Sequence, residues 1–109
     1  MYTEIRDFEW DPTKASRNSL KHGTSFQTAS FAFDDPDALT IEDHRHSTHE
    51  ARRWLIGDSG SGVLVVVFTI RPPGKRIRII SARRAGRTER RRYEEEKRFR
   101  LFESPPGHS

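Results

Sequence analysis

The chain predicts an α+β fold, with N-terminal helices packed on an antiparallel β-meander and a closing C-terminal helix. Three observations carry this reading. Helix start and stop signals crowd the first third of the chain, and three strand-like runs separated by turn residues fill residues 52–82. A densely charged stretch with helical pairing follows Gly86. A chain of 109 residues has room for one core. Residues 1–103 are therefore assigned to a single domain and 104–109, "SPPGHS", to a flexible tail.

Taken in order, "FEW" (Phe8 to Trp10) alternates apolar and polar residues like a short first strand. Asp11 followed by Pro12 starts a helix, because proline at the first helical position has no donor to lose. "HG" ends it, with Gly23 free to adopt a left-handed conformation. Ala15 and Leu20 are its main apolar residues, so its amphipathicity is weak. Ser25 caps a second helix on which Phe26, Ala29 and Phe33 form one stripe. "DDPD" stops that helix, since Pro36 disfavours helical backbone at the residue before it. "ALTIED" reads as an edge strand.

The meander then runs "RRWLIG", the loop "DSGSG", "VLVVVFTI", the turn "RPPGK" and "RIRIISA". The unbroken β-branched run of the middle strand is typical of a strand buried on both faces. In the last strand a period of two turns Ile77 and Ile79 toward the helices and Arg76 and Arg78 to the other face, beside Ile80. The helix "RTERRRYEEEKR" carries Glu94–Arg98 and Glu96–Arg100 in the favourable i, i+4 order.

Composition narrows the function. Hydrophobic residues make up 32% and charged residues 33%, so the core is small, while 10% aromatics argue against a disordered chain. Cysteine is absent, which removes disulfides and thiolate metal sites. "MYTEIRDFEW" lacks the basic-then-apolar order of a signal peptide, and Val63 to Phe68 is too short to span a bilayer. A cytoplasmic location with no membrane partner is expected.

Net charge is +4, unevenly placed. Arg76 to Arg100 holds eleven Lys/Arg against four Asp/Glu, a local +7, and the remainder is −3. A basic C-terminal third points to an anionic partner, nucleic acid first and an acidic protein second. The arginine constellation is Arg53 before Trp54, Arg78, Arg83, and Arg90 to Arg92 before Tyr93. Guanidinium offers a planar fork that matches phosphate oxygens, and aromatic faces stack unpaired bases. Against this, Trp54 reads better as core, whereas Tyr93 reads equally as a stacking ring or as the apolar anchor of a charged helix.

"DHRHSTHE" brings His44, His46, His49 and Glu50 close in sequence, but no second ligand cluster accompanies it, so a polar loop is the better reading. "GDSGSG" lacks the lysine of a phosphate-binding loop and lies between strands rather than before a helix. No cofactor and no metal are expected.

"FEWDPTKASRNSLKHGTSF", "EARRWLIG" and "RIRIISARRAGRTERRRYEE" together resemble the BrnT family of bacterial type II toxins, over roughly Phe8 to Glu95. The resemblance implies a RelE-like fold, ribonuclease activity that arrests growth, and pairing with a BrnA antitoxin bearing a ribbon-helix-helix DNA-binding region. "EARRW" carries an extra arginine where the family often has a second acid, which leaves Arg52 and Arg53 both eligible for the family position.

For a metal-independent endoribonuclease three jobs follow: a base for the 2′-hydroxyl, a cation for the pentavalent phosphorane, and an acid for the leaving 5′-oxygen. Arg53, Arg78 and Arg83 suit the second. Candidates for proton transfer are His22, Glu50, Glu89, Lys21 and Tyr93, and the arginines are expected to dominate without a conventional histidine base. Arg53, Arg78, Arg83, Glu89 and Tyr93 are thus the candidate catalytic residues. Lys14, Lys21, His22, Arg76, Arg90 and Arg91 are the candidate RNA-binding residues, while Arg84 is expected to be mostly solvated. The rival reading is a non-catalytic module that binds nucleic acid or an antitoxin through the same basic face.

Overall fold

The computed structural model describes residues 7–43, 51–72 and 76–103. Five strands form one mixed sheet in the order β1-β5-β4-β3-β2. They are β1 (Phe8–Glu9), β2 (Leu39–Asp43), β3 (Arg52–Asp58), β4 (Val63–Arg71) and β5 (Arg76–Arg84). The helices are α1 (Pro12–His22), α2 (Phe26–Phe31) and α3 (Arg87–Glu103), and a 3₁₀ turn at Ala32–Asp34 follows α2. The fold is α+β, and strands β2 to β5 form the expected antiparallel meander with β2 at an edge. Beyond the expectation, β1 joins β5 in parallel, pairing Phe8 with Ile77 and Glu9 with Arg78.

The caps of α1 are those the sequence announces. The Asp11 carboxylate accepts the Thr13 amide at 2.8 Å, and Gly23 closes the helix at φ 68° while donating to the Ser19 carbonyl at 2.8 Å. Its buried face differs from the apolar reading. Leu20 is 89% exposed, and the buried residue of α1 is Asn18. The Asn18 amide donates to the Ala82 carbonyl at 2.8 Å and accepts the Ala82 amide at 3.1 Å, so it pairs with β5 as a neighbouring strand would. It also donates to the Thr24 carbonyl at 2.9 Å, which ties the turn after α1 to the same point. β1 covers β5 only at Ile77 and Arg78, and Asn18 meets the backbone needs of the edge further on.

Two clusters of side chains lie on opposite faces of the sheet. On one face Phe26, Ala29, Ala32 and Phe33 pack on Leu55, Leu64, Val66, Phe68, Ile79 and Ala82. The Phe33 ring stands edge-on to Phe8 at 5.2 Å and to Phe68 at 5.0 Å, contacts worth about 0.5–1.5 kcal/mol each beyond area burial. Gly57 permits this packing, because a Cβ there would come within 2.9 Å of the Ala32 carbonyl oxygen. On the other face Leu39, Ile56 and Val65 pack with Tyr93 of α3. The continuous apolar run of β4 follows from cover on both sides. The helices therefore do not share one face: α3 lies opposite α1 and α2.

Asp35 fastens α3 to the body. It accepts the Tyr93 hydroxyl at 2.5 Å, the Asp58 amide at 2.7 Å and the Asp37 amide at 2.9 Å. Burial works to raise its pKa, but these three hydrogen bonds outweigh that effect and hold it below the usual 3.8. Tyr93 is pushed up, by burial first and by Asp35 second. Among the described residues no helix is long and apolar enough to cross a membrane.

Candidate active site on the face and edge of β5

β5 draws its geometry from one extra residue. Along the β4–β5 ladder Val67 pairs with Ser81 and Phe68 with Ile79, so Ile80 has no partner and forms a bulge. A strict period of two would place Arg83 with the isoleucines. The bulge resets that parity. Ile79 and Ala82 face α1 and α2, whereas Arg76, Arg78, Ser81 and Arg83 fall on the opposite face. Arg84 pairs with Leu64 on the face of α1 and α2 at the strand end, where it is exposed.

At one end of this row Arg83 meets Glu89 fork to fork, with Nη1–Oε1 at 2.7 Å and Nη2–Oε2 at 2.6 Å. Glu89 also accepts the Gly86 amide at 2.7 Å, at the entry to α3. The Arg83 bond is the main reason that the Glu89 carboxyl lies below its usual 4.5, against an opposing effect of burial. The same bond raises Arg83. Glu89 is an ionised anchor that fixes Arg83 in place, and its oxygens are already occupied. That geometry suits orientation rather than proton abstraction.

At the other end of the row, Glu9 of β1 accepts from Arg78 at 2.8 Å and from Arg76 at 3.1 Å. Arg71 lies 4.0 Å from the same carboxylate. Sequence reasoning passed over Glu9, which only the parallel pairing of β1 brings beside Arg78.

Along the edge of β5, α1 adds a shallow groove lined by Lys14, Arg17, Asn18, Lys21, His22, Ile80 and Ser81. Three residues picked from sequence, Lys14, Lys21 and His22, converge here. Arg17 completes the basic set, and its i+3 spacing from Lys14 was the signal available.

Other candidates do not join them. Arg53 pairs with Phe68, which puts it on the face opposite Arg78, so these two candidates for the phosphorane cation do not come together. The reason is register: Trp54, not Arg53, falls on the Arg78 face. Tyr93 is 2% exposed on the inward side of α3, with its hydroxyl on Asp35, and offers no ring face for stacking. Arg90 and Arg91 are exposed on α3. Trp54 is half-buried against the second core cluster and donates its Nε1–H to Asp43 at 2.9 Å. His44, His46, His49 and Glu50 lie outside the described residues, and among the described ones no three metal-ligating side chains converge.

A family model described as the ribonuclease toxin BrnT of type II toxin–antitoxin systems matches residues 10–89. The chain belongs to the BrnT family. A comparison with individual curated proteins finds no match. As a BrnT-family ribonuclease toxin it has RNA as its substrate and an antitoxin as its partner. The matched span runs from Trp10 to Glu89, and so contains the α1 groove, the bulged strand and the Arg83–Glu89 pair. Glu9, Arg90, Arg91 and Tyr93 fall outside it.

Proposed function

We propose that the chain is a metal-independent endoribonuclease toxin whose RNA runs along the edge and open face of β5. The observation that carries this reading is the bulge at Ile80, which aligns Arg78, Ser81 and Arg83 on one face beside the basic groove of α1. Lys14, Arg17 and Lys21 hold backbone phosphates, and Arg83, oriented by Glu89, faces the scissile phosphate. The 2′-oxygen attacks phosphorus, the bond to the 5′-oxygen breaks, and a 2′,3′-cyclic phosphate remains. Negative charge grows on the non-bridging oxygens of the phosphorane, where a fixed bidentate cation stabilises it more than the ground state.

Proton transfer falls to the groove. Glu89 and Tyr93 are committed to Arg83 and Asp35, whereas Lys21 and His22 both line the groove, which supports these two among the candidates that lie in the described residues. Cutting RNA lowers translation and arrests growth. A ribbon-helix-helix antitoxin of the BrnA type neutralises the toxin by covering the basic face, with electrostatic attraction adding to apolar burial.

The test is incubation of the purified chain with RNA in EDTA, followed by analysis of product ends. Cyclic phosphate termini and unimpaired cleavage support the proposal. Cleavage that stops on chelation and returns with zinc or manganese contradicts it.

A further inference from the structure

Glu9, Arg71, Arg76 and Arg78 line a cavity of about 210 Å³ together with Pro72. Among the described residues that line it, three guanidinium groups stand around one carboxylate. Arg76 and Arg78 each donate a single Nη1–H to Glu9, one to each carboxylate oxygen. A guanidinium has five such donors, so most of each fork is available to a larger anion. The side chains remain reachable, with Arg76 53% and Arg71 43% exposed. Glu9 presents two oxygens to two arginines, as two non-bridging oxygens of a phosphodiester would.

The cavity lies on the same sheet face as Arg83. Arg83 lies five steps along the chain from Arg78, one of them taken up by the bulge, so roughly 13 Å divides them at about 3.3 Å per residue. One phosphate cannot bridge that gap, but one strand of RNA can visit both ends.

We propose that Arg71, Arg76 and Arg78 form a second phosphate-binding subsite for the RNA strand, and that Glu9 occupies it in the free protein as a stand-in that the phosphate displaces. The depressed pKa of Glu9, caused first by the Arg78 bond and then by Arg76, agrees with a carboxylate held ionised there. The inference rests on the β5 face being the RNA site. It adds a place where affinity is set by competition between a built-in carboxylate and the substrate, away from the scissile bond.

The experiment measures binding of a labelled 2′-O-methyl decanucleotide RNA, which cannot be cut, by fluorescence anisotropy between ~50 and ~200 mM salt. Arg76→Gln should weaken binding ~3–10-fold and reduce the slope of log affinity against log salt by about 0.7, the share of one single-strand phosphate contact. Glu9→Gln should bind ~3–10-fold more tightly, because the competing charge is gone. Arg76 is half exposed, so its variant remains informative even if loss of Glu9 loosens β1. An unchanged slope in Arg76→Gln, or no tightening in Glu9→Gln, overturns the subsite. Lys21→Gln separates the two readings. If it alone weakens binding, the groove stands and the subsite falls; if it alone is silent, the subsite stands and the groove falls.

Discussion

Arg83 and Glu89 form a bidentate ion pair, with both nitrogen–oxygen distances at or below 2.7 Å, across the junction between β5 and α3. An arginine held this way keeps its outer edge in one orientation before substrate arrives, which is what a transition-state donor requires. Glu89→Gln breaks the charge pair while keeping a similar shape. The expected result is a fall in kcat of about tenfold or more with little change in binding of uncleavable RNA. Single-turnover cleavage and anisotropy together check this split.

Asn18 fixes the edge of β5 beside the proposed groove. Asn18→Ala leaves the amide and carbonyl of Ala82 without their partner and should cost about 2–4 kcal/mol in urea unfolding. Asn18→Asp keeps the acceptor but loses both donated bonds, so it should also destabilise. Wild-type stability in both variants would mean that the edge finds other partners.

The acid response has a definite sign. Glu89 and Asp35 have folded pKa values below their usual 4.5 and 3.8. The unfolded chain therefore binds more protons in the acid range, and stability rises with pH there. Their contribution is complete above the unfolded values and is lost as pH falls through the lower folded ones. The Tm should stay level near neutrality on this account and drop once pH falls below about 4. Tyr93→Phe removes one cause of the Asp35 depression and should flatten that drop. A Tm that rises on acidification would contradict the assignment.

Much of the fold was legible because its signals are local. Asp11–Pro12, Gly23 and Ser25 mark helix ends through backbone chemistry that tertiary contacts leave intact. β4 announced its double cover through its continuous, largely β-branched apolar run. The bulge at Ile80 was not legible, since an alternating sequence carries no mark of an unpaired residue, and it alone decides the face of Arg83. The separation of Arg53 from Arg78 was hidden for a related reason: which strand residue faces which side depends on register between distant segments. Asn18 carried no local signal, because only the tertiary fold brings its amide to the Ala82 backbone, and Asp35 read as part of a helix stop although three elements meet at it.

Antitoxin and RNA should compete. In a saturated toxin–antitoxin complex, RNA cleavage should be suppressed, and raising salt should weaken the complex if the basic face is the contact. Undiminished cleavage by the complex would place neutralisation elsewhere on the molecule.

Arg83→Lys and Arg84→Lys offer the most direct test, because the two residues are adjacent in sequence and project from opposite faces of β5. The measurement is the RNA cleavage rate of each variant, with circular dichroism confirming the fold. If Arg83 clamps the phosphorane, its lysine variant keeps the charge but loses the fork, and the rate should fall about 10²–10³-fold while Arg84→Lys cuts at the wild-type rate. Equal rates in the two variants would contradict a catalytic face built by the bulge at Ile80.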